Sequence, residues 1–264
     1  MTQPKIITLT TDFGEGGYYL GAMRGVLLSR CPQAQLIDIT HKIASFSSME
    51  ASFVLKQVAD YYPKGTVHLA VVDPGVGGIR KAILLERRGQ WFVGPDNGTF
   101  TPFLDGARVF RIRESVGLPN PSKTFHGRDV FAPVAAALAN GTPAEELAEP
   151  TTQVVRLHIP RPRPEGDALV GKVLFNDRFG NLITNIRRSD LDGMGSNLEI
   201  WVGTYRTRRM AETYEDAALG EILALVGSSG HLEVAVCQGS AAAHLGVGQG
   251  ERVRIRSLAE NVSQ

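Results

Sequence analysis

Short apolar runs that stop at aspartate, alternating with helical patterns, constrain the first half of this chain more than any other feature. Residues 6–10 form a β-rich run that meets Asp12, Phe13 and Gly14, which reads as a buried strand and its turn. Over residues 18–30, Leu20, Met23, Leu27 and Leu28 share one helical face, and Pro32 stands just past the end, where a proline cannot continue a helix. Residues 36–39 read as the next strand, followed by Thr40 and His41. Residues 49–61 read as a second helix, with Phe53, Val54, Val58 and Tyr61 at helical spacing. A third strand at 67–72 runs into Asp73-Pro74-Gly75, and a further pair at 81–86 and 91–93 runs into Gly94-Pro95-Asp96-Asn97-Gly98. Residues 130–139 form an Ala-rich helix that stops at Asn140-Gly141. Strands alternating with helices predict a mostly parallel sheet covered on both faces.

The second half differs. Prolines at 160, 162 and 164 make residues 158–166 extended, a linker between an N-terminal α/β domain (1–157) and a C-terminal domain (167–264). Beyond it, β-like runs at 169–175, 182–186, 198–202, 231–236 and 252–255 predict a small antiparallel barrel or sandwich. Only residues 213–219 suggest a helix there. The chain as a whole is read as α/β.

Charge excludes some partners. With 28 basic and 27 acidic side chains the net charge is +1, which gives no electrostatic reason to expect nucleic acid or an anionic membrane. No run approaches the roughly 18 apolar residues of a membrane span, and the first residues lack a signal-peptide pattern, so a soluble, cytoplasmic protein is expected. Cys31 and Cys237 are too few and too far apart for a zinc cluster or a disulfide framework, and both read as packing residues.

Four strand ends carry aspartate: Asp12, Asp38, Asp73 and Asp96. In open α/β sheets ligands bind beyond the carboxyl ends of the strands. A single Asp there is ordinarily a cap or turn former; four together point to a binding crevice. Asp-rich strand ends also suit a cation, so a metal-dependent nucleoside hydrolase fits the pattern, as does a non-catalytic nucleoside-binding protein. Other chemistries are excluded: there is no phosphate loop and no H-E-x-x-H, Gly75-Val76-Gly77-Gly78 lacks the third glycine of a dinucleotide turn because position 80 is Arg, and Gly227-Ser228-Ser229-Gly230 is not a nucleophile elbow.

Six segments occur in an informative order: Thr10-Thr11-Asp12-Phe13-Gly14, Asp38-Ile39-Thr40-His41, Val72-Asp73-Pro74-Gly75-Val76-Gly77, Gly94-Pro95-Asp96-Asn97-Gly98, Thr124-Phe125-His126-Gly127-Arg128-Asp129, and Phe179-Gly180-Asn181-Leu182-Ile183-Thr184-Asn185-Ile186. Together they resemble the S-adenosylmethionine hydroxide adenosyltransferases, also called S-adenosylmethionine hydrolases, which are related to fluorinating and chlorinating enzymes. The resemblance implies displacement of methionine from the 5′ carbon of S-adenosylmethionine by water or hydroxide, with no metal or other cofactor. It also implies a homotrimer whose substrate lies between the N-terminal domain of one subunit and the C-terminal domain of its neighbour.

It further implies roles. Asp73, Arg80 and His126 match the residues that hold the attacking water, although singly they read as a turn, a surface charge and a loop histidine. In the fluorinating enzymes a Tyr stands at the position of Asp73 and a Ser at that of Gly127, and a fixed carboxylate repels a halide; hydrolysis is therefore expected. Asp12 matches the residue that grips the ribose hydroxyls, with a helix cap as its alternative. Phe46 falls where an aromatic packs on the substrate, with a core residue as its alternative. Asp177 and Asn181 match contacts to the methionine ammonium and the adenine edge, or else form the turn around Gly180. Ser229 stands where the halogenating enzymes use an Arg for the methionine carboxylate, and a hydroxyl makes a weaker contact there. Ala241 offers backbone groups to adenine.

Overall fold

The computed structural model describes residues 4–258, and the chain divides into two compact units at Leu157/His158. The first unit contains a seven-stranded sheet of β1 (Lys5–Thr11), β2 (Ala34–Thr40), β3 (Val67–Val71), β4 (Ala82–Arg87), β5 (Gln90–Pro95), β6 (Arg108–Ile112) and β7 (Ala148–Pro150). Its order is β2-β1-β3-β5-β4-β6-β7. The first four strands in that order are mutually parallel; β4, β6 and β7 extend the sheet by antiparallel pairing.

Period-two alternation explains why the sheet is covered on both faces. Ile7, Leu9, Val67, Leu69, Val71, Leu84 and Val93 join one apolar cluster with Met23 and Leu27 of α1 (Tyr19–Arg30) and Val134 of α3 (Ala132–Ala139). The alternate residues Ala70, Ile83, Leu85 and Phe92 join a second cluster with Leu55 of α2 (Ser48–Val58), Ala59, Phe100 and Phe103. Successive strand side chains point to opposite faces, so each strand feeds both layers. A fourth helix, α4 (Ala144–Leu147), precedes β7.

The second unit holds β8 (Arg163–Glu165), β9 (Ala168–Asn176), β10 (Leu182–Arg187), β11 (Leu198–Val202), β12 (Tyr205–Thr207), β13 (Met210–Ala211), β14 (Ile222–Val226), β15 (His231–Val236) and β16 (Arg252–Ser257). They form a curled sheet in the order β12-β11-β16-β9-β10-β15-β14-β13, with β8 on β9. All pairings are antiparallel except β13 with β14. Within the proline-rich stretch, β8 thus belongs to this sheet, and Pro160 O accepts from Asn185 Nδ2 at 2.6 Å. The expected helix at 213–219 is only a 3₁₀ turn, Tyr214–Asp216. Asp216 accepts the backbone N–H groups of Glu212 and Thr213, each at 2.9 Å, and this local turn competes with helix propagation. Among the described residues, the α-helix of this unit is instead α5 (Ala241–Leu245), capped by Ser240. Both cysteines are buried and unpaired.

Candidate active site

Because β2, β1, β3 and β5 are parallel neighbours, their carboxyl ends share one rim, and all four predicted aspartates stand on it. Their duties differ. Asp38 pairs with Arg24 and lies 3.0 Å from His41 Nε2. Asp96 accepts the backbone N–H of Val155 at 2.8 Å, and burial raises its carboxyl above the usual range. These two knit segments together. Asp12 and Asp73 are the rim carboxylates whose surroundings resemble a reaction site.

Asp73 leaves β3 and is met by Arg80 from the same loop. Arg80 Nε donates to Asp73 Oδ1 at 2.9 Å, and Arg80 Nη2 donates to Asp73 Oδ2. The same Nη2 lies 2.8 Å from His126 Nδ1. A guanidinium has no acceptor, so Nδ1 must accept and the imidazole proton sits on Nε2. Burial and the Arg80 charge push the His126 imidazole below its usual range, against the opposing pull of Asp73 and Asp129. The Asp73 and Arg80 side chains are only 6% and 11% exposed, so bulk water screens the pair little. Phe131 supports the guanidinium from its ring face at 5.1 Å.

Glycines let this loop close. A Cβ at Gly75 would stand 3.1 Å from Arg80 Cγ. Gly77 has φ +73°, and a Cβ there would come 2.1 Å from Lys123 O, in the segment that leads to His126. Only glycine allows the 73–80 loop and the 121–126 loop to approach so closely.

Asp12 Oδ2 accepts the backbone N–H of Phe46 at 2.9 Å. Phe46 is not a core residue: it is 69% exposed and its φ is +70°, a conformation non-glycine residues rarely adopt. The helix-cap alternative for Asp12 is also unsupported, since the N-cap of α1 is Tyr18. Phe13, next to Asp12, packs edge-on against Phe125, next to His126, with ring centroids 6.1 Å apart.

In the second unit, Asp177 Oδ1 accepts the backbone N–H groups of Phe179 and Asn181, each at 2.9 Å, and Oδ2 accepts from Asn181 Nδ2 at 3.0 Å. The two predicted contact residues therefore form the turn around Gly180. Gly180 O accepts from Ala242 N at 2.9 Å, which brings buried Ala241 beside that turn. Ser229 lies in the β14–β15 turn, where its Oγ accepts from His231 N at 3.3 Å. Among the described residues, no three His, Cys, Asp or Glu side chains are grouped as metal ligands would be.

The model of the SAM hydroxide adenosyltransferase N-terminal domain matches residues 7–148, and that of the C-terminal domain matches 171–254. The chain belongs to the SAM hydroxide adenosyltransferase family. Its relatives include the (R)-S-adenosyl-L-methionine hydrolase of Salinispora tropica, 42% identical over 94% of this chain and 97% of the relative. The fluorinase of an Actinoplanes species is more distant, 25% identical over 87% of this chain and 90% of its own. A crystal structure of an uncharacterized conserved protein from Thermotoga maritima superimposes with a TM-score of 0.86 at 36% identity, covering 95% of this chain and 99% of that one.

In this member of the SAM hydroxide adenosyltransferase family, the structure adds supporting residues that the sequence reading passed over. Phe131 under Arg80, and the Phe13–Phe125 contact between the two loops, are the clearest. The available signal was spacing: Phe131 lies one turn beyond His126, on the Gly127–Phe131 π-helical turn that leads into α3.

Proposed function

We propose that this protein hydrolyses S-adenosyl-L-methionine by in-line attack of water at the ribose 5′ carbon, releasing adenosine and L-methionine. The observation that carries this reading is the single Arg80 guanidinium shared by the Asp73 carboxylate and the His126 imidazole. The sulfonium is already a good leaving group, so the site has to position a water and receive its proton. Methionine leaves with the bonding electron pair as a neutral thioether, and one water proton must find a base. Arg80 occupies one acceptor position on each Asp73 oxygen, leaving a lone pair for water. His126 holds its proton on Nε2 and accepts from Arg80 at Nδ1, so it serves as a donor to the water oxygen. Asp73 is then the proton acceptor. The chemistry calls for no metal and no cofactor besides the substrate.

Asp12 grips the ribose hydroxyls and Phe46 lies against the nucleoside in this reading. The exposure of Phe46 supports it, because a buried ring would be unavailable. We propose further that the protein is a cytoplasmic homotrimer, with Asp177, Asn181, Ser229 and Ala241 of one subunit completing the site of the next. Light scattering on the purified protein tests the trimer. For the reaction, incubation with S-adenosylmethionine in ¹⁸O-water should yield methionine and adenosine labelled at the 5′ oxygen, read by mass spectrometry. Asp73→Ala should abolish turnover while the melting transition persists. Undiminished turnover in that variant, or free adenine as product, refutes the reading.

A further inference from the structure

The β2 end carries a histidine that the proposed chemistry does not use. His41 is buried, and it reaches the Asp12 turn by two routes. Its Nδ1 lies 2.9 Å from Thr11 Oγ1, and its backbone carbonyl accepts from Gly14 N at 2.8 Å. The returning chain adds a third tie, from Ile43 N to Thr11 O at 3.3 Å. On its other side, His41 Nε2 is 3.0 Å from Asp38 Oδ1, off the line of a straight hydrogen bond but close enough for charge attraction. Asp38 is in turn held by Arg24 of α1.

The proton inventory fixes the direction of this chain. A carboxylate beside Nε2 favours a proton on that nitrogen, and a Thr11 hydroxyl that already accepts from Phe13 N has its own proton free to give to Nδ1. The Thr11 hydroxyl then donates to Nδ1, and its lone pair accepts the Phe13 N–H at 3.2 Å. Thr11, which is fully buried, thus spends its hydroxyl on both neighbours, and one of them is the backbone immediately after Asp12. Residues 11–14 are clamped by His41 from the β2 side and by the Phe13–Phe125 ring contact from the His126 side.

We propose that His41 is a positioning residue for Asp12: through Thr11 and the Gly14 N–H it fixes the turn that aims the ribose-binding carboxylate. This rests on the reading of Asp12 as the ribose grip. His41 touches no reacting atom, so its loss acts on substrate placement, in KM more than in kcat.

The test is a double-mutant cycle on KM for S-adenosylmethionine. His41→Ala is expected to raise KM on the order of tenfold, a modest misplacement penalty, with kcat changed much less. Thr11→Val, nearly isosteric, should do the same and stands in if His41→Ala does not fold. His41→Asn, whose amide oxygen can take the place of Nδ1, should recover most of the loss. In the Asp12→Ala background the further change of His41 or Thr11 should leave KM where Asp12→Ala alone puts it, because a residue acting through Asp12 has nothing left to position. Effects that add to those of Asp12→Ala, or wild-type KM in both His41→Ala and Thr11→Val, overturn the proposal. If Asp12→Ala itself leaves KM unchanged, the ribose reading fails instead, and the two failures are distinct.

Discussion

Replacing Arg80 with lysine keeps the charge and removes the fork, so it isolates the geometry on which the proposed reaction depends. Arg80 makes two hydrogen bonds to Asp73 and one to His126. An ammonium on a flexible stem can hold the carboxylate at one point but cannot bridge both partners in one plane. Two of the three bonds are lost, each worth about 1.5–3 kcal/mol when charged groups are involved. Because both side chains are nearly buried, solvent compensates little. If about half of the roughly 3–6 kcal/mol is felt in the transition state, kcat falls by between roughly 10- and 150-fold, at 1.36 kcal/mol per factor of ten. The assay is adenosine release at saturating S-adenosylmethionine by liquid chromatography, with circular dichroism confirming that the fold persists. An Arg80→Lys protein turning over within about threefold of wild type would mean that the bridge does not orient the water, and the mechanism would have to be abandoned.

Two predictions concern stability. Gly77→Ala forces a side chain into a left-handed backbone and onto Lys123 O, so it should cost upwards of ~1 kcal/mol and lower both the melting temperature and kcat; an unchanged melting curve would count against the close approach of the two loops. His68, fully buried in β3 and stacked on Phe92, is pushed down to about 4 by burial, a shift partly offset by the neighbouring Gln90 side chain, which favours the protonated ring. Because the folded imidazole resists protonation, the unfolded chain binds the extra proton first, so the stability contribution is complete above pH ~6.5 and is lost as pH falls toward ~4, by about 3 kcal/mol in all. Urea denaturation at pH 7 and at pH 4.5 should show a larger drop for wild type than for His68→Leu; equal drops would refute the assignment.

The parallel half of the first sheet was legible because β1, β3 and β5 are short apolar-rich runs buried along nearly their whole length, and each strand, the half-exposed edge strand β2 included, is followed by polar or turn residues. β6 was missed: Arg108-Val109-Phe110-Arg111-Ile112 pairs by its edges and carries arginines between its apolar residues, a pattern too mixed to stand out. α5 was missed because five residues of Ala-Ala-Ala-His-Leu give too short a period, and only Ser240 as N-cap marks it. The family was legible through the order of its motifs, since each motif alone also describes a turn, and the candidate site follows from that resemblance. Position by position, the sequence could not tell a carboxylate that ties two segments together, such as Asp38 or Asp96, from one left with a lone pair to offer, such as Asp73. That difference depends on which distant backbone arrives beside it, Val155 N–H in the case of Asp96. Nor could it show that Phe46 faces outward, which follows from the unusual backbone twist at that residue.

One cation serving two neighbours has an evolutionary corollary. Had the carboxylate and the imidazole each been held by separate groups, a lineage could trade one of them away while the other kept working. Here, losing the guanidinium strands both at once, and losing the carboxylate leaves a buried positive charge leaning on the ring. Under the proposed mechanism, a change of nucleophile at Asp73 therefore calls for a matching change at Arg80 and His126.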